Sequence, residues 1–112
     1  MEYKIKSRIW IEADDNVLLG EGRVHLLKAI EKTGSLSKAA KSINISYKKA
    51  WTMMDAVNKS AKKPVTESSV GGKGGGGATL TEYGKKLIET FDDINKNCWK
   101  HLDQQIEKIN SL

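Results

Sequence analysis

The sequence predicts a mainly α fold with a small β wing (α+β), and three observations carry that expectation. Two capped apolar-periodic segments are joined by a short turn around Asn44. A glycine run over residues 71–77 is flanked by two strand-like segments. A single apolar seam then continues from Tyr83 nearly to the end of the chain. At 112 residues there is room for one domain with a small core.

The first element is an N-terminal strand. Tyr3, Ile5, Ser7, Ile9 and Ile11 alternate with Lys4, Lys6, Arg8, Trp10 and Glu12, the period-two pattern of a strand with one buried face. Asp14-Asp15-Asn16 reads as a turn. A helix follows from about Gly22 to Thr33, with Val24, Leu26, Leu27, Ala29 and Ile30 inward and Gly34 as its left-handed stop.

Ser35 or Ser37 caps a second, short helix, whose inner side is Leu36, Ala39, Ala40 and Ile43. The Ala39-Ala40 pair is small enough for two helix backbones to cross closely. Asn44 suits a left-handed turn, Ile45 fills the gap between helices, and Ser46 caps a third helix. There Tyr47, Ala50, Trp51, Met54 and Val57 recur at helical spacing, with Lys48, Lys49, Thr52, Asp55 and Lys59 on the other side. This spacing assigns Trp51 to the core and leaves Tyr47, at the helix start, open between core and contact. Two helices joined by a short turn, the second basic near its N-terminus, form a helix-turn-helix over about residues 35–61.

Val65–Val70 and Ala78–Leu80 read as the strands of a hairpin wing spanning about residues 65–80, and its tip carries six of the ten glycines. Thr81 caps a final helix over about residues 82–110. Its apolar residues Tyr83, Leu87, Phe91, Ile94, Cys98, Leu102, Ile106 and Ile109 step by three or four. That seam is longer than one small domain needs. Phe91, Ile94, Cys98, Trp99, Leu102 and Ile106 are therefore expected to face a second copy, helped by the N-terminal strand. The order strand, three helices, two strands, helix is that of a winged helix-turn-helix with an N-terminal strand and a long C-terminal helix.

The charge is concentrated. Net charge is +5, yet residues 1–34 balance six basic against six acidic groups and residues 64–112 carry six against seven. Residues 35–63 hold seven lysines against Asp55 alone, a local excess that points to a polyanion. Expected contacts to double-stranded DNA are Ser35, Ser37, Ser46, Tyr47, Lys48, Lys49 and Thr52, with Lys73 reaching the backbone from the wing. An exposed helix fits the major groove of DNA, whereas A-form RNA hides that groove.

Other chemistries are excluded on the residues. In the glycine run Lys73 is followed by Gly74, and no helix begins there, unlike a nucleotide-binding loop. Flexible linker remains a competing reading of that run. Cys98 and His101 are three apart, but a closed zinc site needs four ligands and no second pair exists. With no nucleophile–base arrangement either, no enzyme, metal or cofactor is expected. The longest apolar runs are triplets such as Ile9-Trp10-Ile11, far short of a membrane span, and the start Met1–Lys6 lacks a secretory signal. The expected setting is the cytoplasm, and the single Cys98 suits a reducing compartment.

Ile45-Ser46-Tyr47-Lys48-Lys49-Ala50-Trp51, the run Gly71–Thr81 and Tyr83-Gly84 together resemble the N-terminal DNA-binding domain of ModE, the bacterial molybdate-responsive regulator, itself related to LysR-type regulators. Gly34-Ser35-Leu36-Ser37 and Ala39-Ala40 are similar too, and the resemblance covers roughly residues 20–90. It implies a winged helix that dimerises through its terminal elements and binds a palindromic operator. Full-type ModE proteins continue into a molybdate-binding domain, whereas this chain stops at Leu112. Oxyanion sensing is assigned to no residue here and would fall to a separate partner. The alternative from another class is a protein-interaction winged helix that recruits a partner through its last helix. A basic RNA-binding or ribosome-associated domain is a third reading.

Overall fold

The computed structural model describes residues 1–69 and 77–112. The elements run β1 (Trp10–Ala13), β2 (Asn16–Gly20), α1 (Glu21–Thr33), α2 (Leu36–Ser42), α3 (Tyr47–Ser60), β3 (Thr66–Ser69), β4 (Gly77–Leu80) and α4 (Glu82–Asn110). This is a winged helix-turn-helix, with β3 and β4 as the wing and an additional hairpin in front of α1.

That hairpin corrects the single N-terminal strand. β1 and β2 pair antiparallel, Ile11 opposite Leu19 and Ala13 opposite Asn16, with a bulge after Ile11. Asp14 and Asp15 make the connection at φ 51° and 66°, the left-handed pair that a tight hairpin turn requires. The return strand has no period-two signature, because Val17-Leu18-Leu19 is a continuous apolar run. Upstream, Ile5, Ser7, Ile9, Ile11 and Ala13 are all half-buried while the residues between them are exposed. The alternation is therefore real in burial, but ladder pairing begins only at Trp10. Residues 7–9 instead lie beside α4, where the Ser7 hydroxyl is 3.6 Å from the Cys98 thiol.

The five inward residues expected of α1 are all buried, and the helix stops at Gly34, whose φ is 72° and whose N–H donates to the Ile30 carbonyl at 2.8 Å. Ser35, rather than Ser37, caps α2 by accepting from the Lys38 N–H at 3.2 Å. Asn44 turns the chain at φ 59°, and the Ile45 N–H returns to the Ala40 carbonyl at 3.0 Å. Thr81 caps α4 by accepting from the Gly84 N–H at 2.9 Å.

The core gathers Leu19, Leu26, Leu27 and Ile30 with Ala39 and Ala40 of α2, Ala50 and Val57 of α3, and Val65, Ala78 and Leu80 at the wing base. Ile88 and Phe91 close it from α4. Beyond Phe91 the helix leaves the globule: the radius of gyration is 17.1 Å, against about 13 Å for a compact chain of this length. Among the described residues no helix is long and apolar enough to cross a membrane.

Candidate nucleic-acid interface

The candidate surface is the outer side of α3 with its approaches from α2 and the wing. Ser46 fixes where α3 begins. Its hydroxyl accepts from the Lys49 N–H at 3.0 Å, relieving one of the unpaired donors at the helix start. Ala50 and Val57 face the core, flanked by the half-buried Met53 and Met54. Helical geometry then turns Lys48, Thr52, Asp55 and Lys59 outward, because 3.6 residues per turn puts them opposite that arc.

Lys48 and Lys49 are exposed in the first turn of α3. Lys59 is paired with Asp55 at 2.8 Å, whereas Lys38, Lys41, Lys48, Lys49, Lys62 and Lys63 have no acidic partner among the described residues. Six exposed cations without an acidic partner within one short stretch of chain make a field suited to a polyanion. The Thr52 hydroxyl donates its proton to the Lys48 carbonyl at 2.9 Å and keeps its oxygen as an acceptor. Ser37 is exposed beside Lys38 on α2, and Ser35 is half-buried under its cap. Lys73 and the residue 70–76 part of the glycine tip lie outside the described residues.

Trp51 is corrected from core to surface. It is 49% exposed, and Tyr47, one turn before it, is 56% exposed. The buried arc of α3 is set by Ala50, Met53, Met54 and Val57, and Trp51 stands about 100° from Ala50. Apolar spacing alone predicts a core aromatic, but two such arcs overlap on this helix and the smaller residues occupy the inner one.

One positioning residue has no sequence signature. Asn58 accepts from the Val65 N–H at 2.8 Å and the Thr66 N–H at 3.2 Å, and donates to the Thr66 hydroxyl at 2.8 Å. It thereby ties α3 to the first residues of the wing. A second tie runs from the wing to α1, where the Ala78 N–H donates to the Gly34 carbonyl at 3.0 Å. A third joins the wing base to α4: the Thr81 N–H donates to Val65 at 3.0 Å, and its hydroxyl to Pro64 at 2.7 Å. No sequence pattern announces Asn58, since an asparagine late in a helix is ordinarily a solvated side chain.

On α4 the seam divides. Phe91 is only 3% exposed within its own chain, so it is corrected from interface to core. Ile94 is 45% exposed, and Cys98, Trp99, Leu102 and Ile106 are half-buried. Part of that cover comes from residues 7–9, which lie beside Phe91, Asn95 and Trp99.

No protein-family model matches the chain. Molybdenum transport protein ModE of Azotobacter vinelandii is 34% identical over 106 residues, 95% of this chain and 39% of that protein. The sequence is thus related to ModE proteins. A second ModE, the DNA-binding transcriptional dual regulator of Escherichia coli K12, is 47% identical over 70 residues, 62% of this chain and 27% of that protein. The chain therefore spans well under half the length of the ModE relatives it matches. In three dimensions it is similar to a chain of the solved "Crystal structure of CbnR_DBD-DNA complex". The TM-score is 0.59 at 18% identity, covering 79% of this chain and 95% of the other. At that identity the likeness concerns the fold alone.

Proposed function

We propose that the chain is the DNA-binding unit of a ModE-like transcriptional regulator, reading duplex DNA sequence-specifically with α3 in the major groove. The observation that carries this reading is the solvent-facing start of α3. Lys48 and Lys49 project there from a capped helix end, with no acidic partner among the described residues. A helix of that kind fits a groove about 12 Å wide, and lysines supply phosphate or guanine contacts. The Escherichia coli relative is a DNA-binding regulator, and the CbnR domain was solved in complex with DNA; both support the same reading.

In this reading residues 35–61 present Ser35, Ser37, Ser46, Tyr47, Lys48, Lys49 and Thr52 to the duplex, and Lys73 holds the backbone from the wing. The whole chain acts as one domain in the cytoplasm. Two copies join through Ile94, Cys98, Trp99, Leu102 and Ile106 of α4, which doubles the recognised sequence across a palindrome. Molybdate or another oxyanion would be sensed outside these residues.

A randomised duplex library selected with the chain tests the proposal. An enriched, two-fold symmetric site is expected. On that site Lys48→Ala or Lys49→Ala should cost about 1–3 kcal/mol if the lysine reads a base, while Lys73→Ala weakens selected and random duplexes alike. A library that yields no preferred sequence overturns the reading. Unchanged discrimination by both α3 variants would move the reading surface elsewhere.

A protein-recruiting role for α4 draws on one specific observation, the exposed Ile94 and Ile109 on a helix that outruns its globule. A second copy of the chain satisfies the same surface.

A further inference from the structure

We infer that Trp51 is a base-reading residue, its indole packing against the 5-methyl groups of thymines in the major groove. The inference rests on the DNA-binding reading above and adds a specificity element of a different chemistry. It begins from what the polar side chains of α3 are already doing. The Ser46 hydroxyl accepts from the Lys49 N–H, the Thr52 hydroxyl donates to the Lys48 carbonyl, and Asp55 holds Lys59 at 2.8 Å. The side chains there with no internal hydrogen bond or ion pair among the described residues are Lys48 and Lys49, which are flexible point charges suited to phosphates, and the aromatic pair Tyr47 and Trp51.

Trp51 is also placed for the groove. It lies seven residues before Asn58, so the two differ by only about 20° around the helix and about 10 Å along it. Asn58 meets Val65 and Thr66 at the base of the wing. Trp51 therefore projects from the wing-side flank of α3, two turns nearer the helix start, beside Lys48 and one turn from Tyr47. A large indole left half-exposed on an otherwise basic helix end is unusual, because it forgoes burial that Ala50 and Val57 obtain one step round the helix. Duplex DNA matches both halves of this surface, with phosphates for the lysines and thymine methyls as the apolar feature of the major groove.

The test is a thymine-to-deoxyuridine scan of the duplex most enriched from the randomised library. Deoxyuridine keeps the pairing edge and removes only the methyl. For the wild-type chain, affinity should fall about four-fold at one or two thymines of each half-site, the worth of one buried methyl. With Trp51→Ala that dependence should vanish while the salt dependence of binding stays as in wild type. Trp51→Phe should retain part of it. Wild-type binding indifferent to every methyl overturns the inference without touching the DNA-binding reading, as does a Trp51→Ala chain that keeps the full dependence. If no duplex is enriched at all, both fall together.

Discussion

Glycine-to-alanine substitution has opposite expected signs at two helix starts in this chain, and the difference is a matter of space. Gly84 sits in the first turn of α4, buried against the wing base. A Cβ added there would fall well under 3.0 Å from the Val65 carbonyl oxygen and 3.1 Å from Val65 Cγ1. That oxygen cannot retreat freely, because it accepts from the Thr81 N–H at 3.0 Å. Overpacking costs about 1–3 kcal/mol, and weakening that hydrogen bond about 1 kcal/mol more. The gain from alanine in a helix offsets at most about 1 kcal/mol. The net expectation for Gly84→Ala is a loss of about 1–3 kcal/mol, or a Tm lower by roughly 4–12 °C. Gly22, in the first turn of α1, is exposed, and an added Cβ meets only Met53 Cε at 3.8 Å. Gly22→Ala should be neutral or stabilising by up to about 1 kcal/mol. Thermal and urea unfolding at one fixed chain concentration compare the three proteins. A Gly84→Ala chain as stable as wild type, or a Gly22→Ala chain that loses as much, would refute the packing argument.

Asn58→Ala strips partners from two backbone N–H groups and the Thr66 hydroxyl, so a loss of about 2–3 kcal/mol is expected in urea unfolding. Asn58→Asp keeps both acceptor contacts and should stay within about 1 kcal/mol of wild type; equal losses in both variants would count against the tie between α3 and the wing. A chain ending at Asn95 retains Ile88 and Phe91 for its own core but loses the outer seam of α4. Light scattering should find it a folded monomer and the 112-residue chain a dimer; a monomeric 112-residue chain at micromolar concentration would remove the proposed interface.

The helices were legible because each carries its own punctuation. Gly34 stops α1, Ser46 and Thr81 cap α3 and α4, and Asn44 takes the left-handed turn that its short polar side chain tolerates. The buried side of α1 was legible because Val24, Leu27 and Ile30 step by three, with Leu26 and Ala29 beside them. What escaped was decided by tertiary competition. β2 is an unbroken apolar run, whose partner is visible only once Asp14 and Asp15 close the hairpin. Residues 5–9 have the alternation of a strand, but residues 7–9 lie beside α4 rather than in a strand ladder. For Trp51 and Phe91 spacing gives only the angle around the helix, and in each case the volume available beneath the helix decides between core and surface. The basic segment from Lys38 to Lys63 was legible from composition, and the fold adds that Lys48 and Lys49 share the exposed start of one helix.

The most direct test of the account is the salt dependence of duplex affinity, measured for the 112-residue chain on its selected site and on random sequence. Each phosphate neutralised adds about 0.9 to the slope of log affinity against log salt, so a surface with several unpaired lysines should give a steep fall. Replacing Lys48 and Lys49 together should flatten that slope by up to about 1.8 if both touch phosphates. Affinity indifferent to salt, or no binding to duplex even at low salt, would contradict the account.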